Sequence, residues 1–345
     1  MAGSFTAEAG AALVFLILYV FLWSYMTFMY ARKRYEWKSR YSILYLHTTI
    51  RVASQACGLA FAILAWRNID VFVAYLILSA EGYFSLTIAA YYFLKHYEIK
   101  HFGWSRLGPA DHNEGGRKRF LQALSMVAVL MPWRFWDRNL LMIVDAWLIP
   151  ANAIIIAGGS IMAGLNDKSK QLDPDDYNNR LNVSKGLRTA GQAVFLALTV
   201  LFILLYINAA RKGRGLKHSS ERTMSKTALA IFGVVGGMLL VRGIFGVLQA
   251  AVYSLSYSNP ENYDGHGMKS RFTAIEYCLA VVPEFTAAFL LNMSYWSTAR
   301  EPSVELIDPE DNATEFVRTN RGGHETEYAA EDKNSKYETV PKYTP

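Results

Sequence analysis

Apolar positions along this chain come in long blocks rather than scattered stripes. The opener MAGSFTAEAG leads into a long stretch almost free of charge, and such blocks recur down the chain. A bilayer core about 30 Å thick takes about 20 apolar residues as helix. Seven runs meet that length: 10–31, 43–66, 71–94, 139–163, 189–210, 227–254 and 272–294. Lipid offers no hydrogen-bond partner to the backbone, so each run has to close its own hydrogen bonds as a helix. The alternation expected of a transmembrane barrel is absent. Residues 120–132 (FLQALSMVAVLMP) are apolar but short, and Arg134, Asp137 and Arg138 follow at once. That segment fits a helix lying at the interface rather than an eighth span.

The expected fold is therefore all-α: a polytopic membrane protein with a seven-helix bundle. Its parts are a short extracellular N-terminus (1–9), the membrane domain (10–294) and an acidic, disordered cytoplasmic tail (295–345). Composition agrees. The 345 residues are 52% hydrophobic and only 19% charged, with a mean hydropathy of +0.12. That excludes a soluble enzyme, a disulfide-rich secreted domain and a disordered chain. Cys57 and Cys278 both fall in apolar runs, with no metal-ligand spacing and no disulfide framework.

Charge sets the expected orientation. The loops after spans one, three and five carry more than twice the Lys and Arg of the other three, and the N-terminus carries none. The positive-inside rule then puts the N-terminus outside and the C-terminus in the cytoplasm, in a membrane expected to be the plasma membrane. The net charge of +6 averages two unlike parts, because the tail from Glu301 is acidic and the rest correspondingly more basic. This basic excess faces anionic lipid, and it is not a nucleic-acid signal. The tail is a candidate contact for a cytoplasmic protein. Asn182-Val-Ser184 is a glycosylation sequon on the expected outer side, and those at Asn292 and Asn312 lie on the inner side.

Ionisable groups inside spans are costly, so each is a functional candidate. Glu81, Arg242, Glu276 and Glu284, with Gln249, form the candidate substrate or proton site. By depth, Arg242 is expected to face Glu81, Glu276 or Glu284. Arg51 and Asp145, with His47, form a candidate inner polar pair. Either a packing network or a binding site accounts for such a set. Gly233 and Gly237, then Gly243 and Gly246, and Gly158, Gly159 and Ala163 are positions for close helix contact. Pro150 and Pro283 are expected to kink spans four and seven.

Familiar seven-span chemistries find no support. Residues 272–294 hold no lysine for a retinal Schiff base, and only His47 lies within a span, too few for a zinc hydrolase. No nucleotide-binding loop appears. Catalytic residues, metal and cofactors are therefore expected to be none, and the protein is not expected to be an enzyme.

Asp145 followed by Gly158-Gly159, Gly191-Gln192 near the start of span five, and the step from Arg242 to Phe245 resemble the fungal lipid-translocating exporters. Those seven-span proteins are linked to resistance to toxic sterols and sphingoid bases. The chain departs from their pattern at Gly246 and Gln249 and in the register of Glu276 and Glu284, so it also resembles an uncharacterised fungal sister family. The resemblance implies a translocator of amphipathic lipids or toxic amphiphiles, with membrane lipids and an amphipathic small molecule as partners. The alternatives are a receptor or sensor signalling through the basic loops and tail, and a protein that organises a membrane domain.

Overall fold

The computed structural model describes residues 6–37, 39–108, 139–165, 173–215, 226–264 and 267–298. The 120–132 segment, Asn312 and nearly all of the tail lie outside the described residues. The seven expected spans are helices: α1 (Ala7–Ala31), α2 (Arg40–Leu64), α3 (Ile69–Phe102), α4 (Leu140–Leu165), α5 (Pro174–Gly215) and α6 (Lys226–Ala251), with the seventh built from two. It runs from α7 (Ser270–Glu276) through a π-helical turn (Tyr277–Val281) into α8 (Val282–Thr298). All seven are long and apolar enough to cross a membrane. The outward faces are apolar too: Phe21 is 74% exposed and Ile63 71%. A water-soluble bundle could not present such a surface, so the chain is an integral membrane protein.

Local sequence fixes several helix ends. Thr6 caps α1 by accepting from the Ala9 N–H at 3.2 Å. Asn68 caps α3 through the Asp70 N–H at 3.1 Å. That helix stops at Gly103, whose φ of 75° suits a residue without a Cβ, and whose N–H returns to the Ile99 carbonyl. Two helices outrun their apolar blocks. α3 continues past Leu94 to Phe102, and α5 begins at Pro174 rather than near 189. At 1.5 Å per residue, the 42 residues of α5 reach about 63 Å, well beyond a bilayer core. Pro174 followed by Asp175 and Asp176 explains the early start, since Pro fits the first turn and acids favour the positive end of the dipole.

Consecutive helices pack side by side, and the seventh span lies on α6. α3 touches α2, α4, α5, α6 and α8, so it is the central helix. Its lack of a polar face follows from that position. Glycines allow the closest approaches. A Cβ on Gly158 would lie 2.9 Å from the Ser184 carbonyl oxygen, and one on Gly191 would lie 2.8 Å from the Ala151 carbonyl oxygen. In α6 Gly233 packs against Tyr206, Gly236 against Ile203, Gly243 against Tyr83 and Gly246 against Gln192, whereas nothing stands within 4 Å of a Cβ at Gly237. The GxxxG step is thus used at one end only.

Aromatic clusters close both ends of the bundle. One joins Phe61, Trp66, Phe72, Tyr257, Tyr263 and Phe272. It is bound to a small hairpin in which Tyr263–Asp264 pairs antiparallel with Gly267–Met268. Buried Glu8 of α1 accepts from the Met268 N–H at 2.8 Å, tying the first helix to this hairpin. At the other end Tyr35 stacks on Tyr41, their centroids 4.2 Å apart, and donates to Asn292 Oδ1 at 3.0 Å. Such belts suit membrane–water interfaces.

Candidate functional site

The polar residues of the spans meet in two adjoining places, a dry clasp and a partly open cavity. The clasp is centred on Glu284, which is fully buried. Arg51 of α2 forms an ion pair with Glu284 Oε2, and Arg242 of α6 donates from Nε to Oε1 at 2.5 Å. Arg51 Nη1 also donates to Ser79 Oγ at 3.5 Å. The Arg242 guanidinium lies over the Tyr83 ring, 4.8 Å from its centroid. The two guanidiniums share this one carboxylate, which offsets part of the cost of burying them.

A second carboxylate sits one level away in the same span, at the end of α7. Glu276 Oε2 accepts from Gln249 Nε2 and Oε1 from the Tyr257 hydroxyl, both at 2.5 Å. Beside it, the Tyr277 hydroxyl donates to Gln55 Oε1 at 3.2 Å. The π-helical turn makes this alignment possible. Glu276 and Glu284 are an i, i+8 pair. In an uninterrupted α-helix they would diverge by roughly 80°, at about 100° per residue. One extra residue in the turn brings them nearly into line. They then face Arg242 and Gln249, an i, i+7 pair on one stripe of α6, while on α2 Arg51 meets Glu284 and Gln55 meets Tyr277. Pro283 supplies a local reason for the turn. It has no N–H to donate to the preceding turn, its ring crowds the carbonyl four residues back, and a wider turn relieves both.

Other expected partners fall elsewhere. Arg51 meets Glu284 where the depth argument expected Asp145. The helix containing it starts at Arg40 rather than 43, so Arg51 stands near the middle of α2, level with Glu284, instead of in its inner third. Asp145 lies half-buried on α4, outside the clasp. His47 donates from Nδ1 to the Gly82 carbonyl at 2.9 Å and holds α2 to α3 without joining an ion pair. Glu81 is not beside Arg242; it accepts from Asn152 Nδ2 at 2.7 Å. Helical register explains this: Ser79, Gly82 and Tyr83 share the α3 face toward the two arginines, and Glu81 points to α4. Asn182 is exposed, but it lies inside α5 rather than in a loop, and Ser184 of its sequon is buried, donating to the Gly158 carbonyl at 2.6 Å.

The cavity of about 50 Å³ lies between α3, α4, α5 and α6. Ser79, Arg188, Gln192, Arg242, Gln249 and Tyr257 form its polar wall. That volume holds roughly three to five waters, at about 10–15 Å³ each. Arg188 and Tyr257 do not stand out in the sequence, Arg188 because it reads as part of a loop. The Pro174-Asp175-Asp176 start signal would have extended the helix across it. The Arg188 guanidinium lies 5.9 Å from the centroid of the Tyr257 ring. Burial, reinforced by the neighbouring Glu276 carboxylate, pushes the Tyr257 hydroxyl well above the usual tyrosine range, so it keeps the proton it donates. Among the described residues, no group of three or more His, Cys, Asp or Glu is placed to hold a metal ion.

No protein-family model, curated protein or solved structure matches the chain, so its description rests on its own geometry: a seven-helix integral membrane protein with a buried ionic clasp beside a polar cavity.

Proposed function

We propose that the protein binds an amphiphile in the cavity between α3, α4, α5 and α6 and moves it across the membrane. The observation that carries this reading is the two-sided wall. The apolar lining residues Val73, Leu76, Ile77, Ile155 and Ile156 come from α3 and α4, and Arg188, Gln192, Arg242 and Gln249 from α5 and α6. An apolar chain and a polar head would each find a matching surface. The kinship with lipid-translocating exporters belongs to the same proposal. Three residues that suggest it, Gly159, Gln192 and Arg242, stand together around the cavity although they come from three helices. The basic end is then the cytoplasmic end, and the work is transport rather than catalysis.

Full-length protein in proteoliposomes, assayed with a fluorescent fatty acid or lysophospholipid, tests this. Transbilayer movement should exceed that of protein-free vesicles and fall to their level in Gly159→Leu, which fills the cavity. Movement equal to that of protein-free vesicles contradicts the proposal.

A receptor is the second reading, favoured by the π-helical turn of the seventh span. A change in that turn's register would shift Glu276 relative to Glu284. Ligand-dependent recruitment of a protein at the basic end, with no translocation, would select it.

A further inference from the structure

We infer that the cavity takes the anionic head group, a carboxylate or a phosphate, of a single-chain amphiphile. This rests on the cavity being the amphiphile site and adds the chemistry of the head. Among the described residues, two arginines and no acid line the cavity. Glu284 and Glu276 stand behind that wall and occupy other edges of it. Glu284 takes Arg242 Nε, and Glu276 takes Gln249 Nε2 and the Tyr257 hydroxyl. Among the donors of the lining residues, Arg242 Nη1 is left without a hydrogen-bond partner in the described residues.

The decisive atom is Arg242 Nη1. Arg242 is 4% exposed and fixed by Glu284 and the Tyr83 ring, yet Nη1 has no hydrogen-bond partner among the described residues. A buried guanidinium nitrogen left unpartnered costs free energy that an anion at that point would recover. Gln192 Oε1, from a side chain 8% exposed, is likewise unpartnered. It accepts rather than donates, so it suits a hydroxyl or a protonated acid oxygen on the same head. Both atoms flank Gly246, where a Cβ would lie 3.1 Å from Nη1 and would run into Gln192 Oε1. The bare glycine keeps the two side chains where they are. A cationic head, such as a sphingoid base, would instead meet Arg188 and Arg242 without a carboxylate on the wall.

Gly159 offers an independent handle. It lines the cavity on the α4 side and has nothing within 4 Å of a Cβ, so Gly159→Leu fits without displacing the clasp. Arg242→Lys keeps a charge for Glu284 but loses the planar fork that serves both places at once.

The experiment measures binding of oleate, dodecyl phosphate, sphingosine and lysophosphatidylcholine to the full-length protein in nanodiscs, with inorganic phosphate as competitor. Oleate and dodecyl phosphate should bind at least tenfold tighter than the other two. Gly159→Leu should weaken them at least tenfold at an unchanged unfolding midpoint. Arg242→Lys should abolish the preference for anions. If sphingosine or lysophosphatidylcholine binds as tightly, the anionic assignment is wrong while the amphiphile site stands. If inorganic phosphate competes as strongly as dodecyl phosphate, the ligand is a free anion and the amphiphile site falls. If nothing binds, or Gly159→Leu changes nothing, both fall.

Discussion

The clasp around Glu284 and the cavity beside it share Arg242 and Ser79 and differ in almost everything else. In the clasp the counter-charge is internal, although one carboxylate is shared by two guanidiniums. Arg51 and Arg242 converge on one carboxylate with no exposed surface. In the cavity a guanidinium nitrogen and an amide oxygen lack partners among the described residues. The comparison shows how one arginine serves two purposes: Nε anchors it in the packing of α6 and the seventh span, and Nη1 is left for a ligand. Substitutions can therefore separate the two roles.

The largest expected effect is on the clasp. Glu284→Ala leaves two buried guanidiniums without a counter-charge, and breaking such a pair costs about 3–5 kcal/mol. Thermal unfolding in detergent should show a large fall in midpoint, and an unchanged midpoint would mean that the clasp does not hold the bundle. Next comes Gly82→Ala. Its Cβ would sit 2.7 Å from Arg51 Nε, and Arg51, held by Glu284, has little room to yield. Overpacking of this kind costs about 1–3 kcal/mol. Gly237→Ala is the control from the same bundle. Nothing lies within 4 Å of its Cβ, so it should stabilise by about 0.5–1 kcal/mol. Equal responses at Gly82 and Gly237 would remove the contrast between a packed and an open helix face.

Tyr257→Phe is a smaller step. It removes one of the two donors to Glu276 and should cost about 1–2 kcal/mol, read from the same unfolding midpoint. The smallest effect is the alkaline one. Burial raises the Tyr257 hydroxyl above its ordinary value of 10.0 in the folded protein. Above pH 10 the unfolded chain therefore releases this proton while the folded chain holds it, and stability falls as pH rises. Wild type should lose stability there more steeply than Tyr257→Phe, and parallel curves would show that this hydroxyl is not the group responsible.

Hydropathy made the spans legible, because the cost of exposing backbone to lipid forces long uncharged helices. It placed their ends poorly. Lys95 and Lys100 at the end of α3, and Asp175 and Asp176 at the start of α5, are polar yet helical, so apolar blocks underestimate both helices. The same error displaced Arg51 in depth and hid Arg188. Depth narrowed the partner of Arg242 to Glu81, Glu276 or Glu284, because buried charges seek opposite charges at the same level, but it did not choose Glu284 among them. The direction of Glu81 was not readable, since a central helix that is apolar all round carries no periodic stripe to orient it. The π-helical turn left only Pro283 as a sign of itself, and the alignment of Glu276 with Glu284 depends on it.

The sharpest measurement is a cryo-EM map of the full-length protein in nanodiscs containing oleate. Head-group density should lie within hydrogen-bond distance of Arg242 Nη1 and Gln192 Oε1, with Arg242 Nε still on Glu284 and the chain running along Leu76 and Ile155. A map in which both Arg242 nitrogens turn to Glu284, or in which oleate occupies only the outer surface of the bundle, would contradict it.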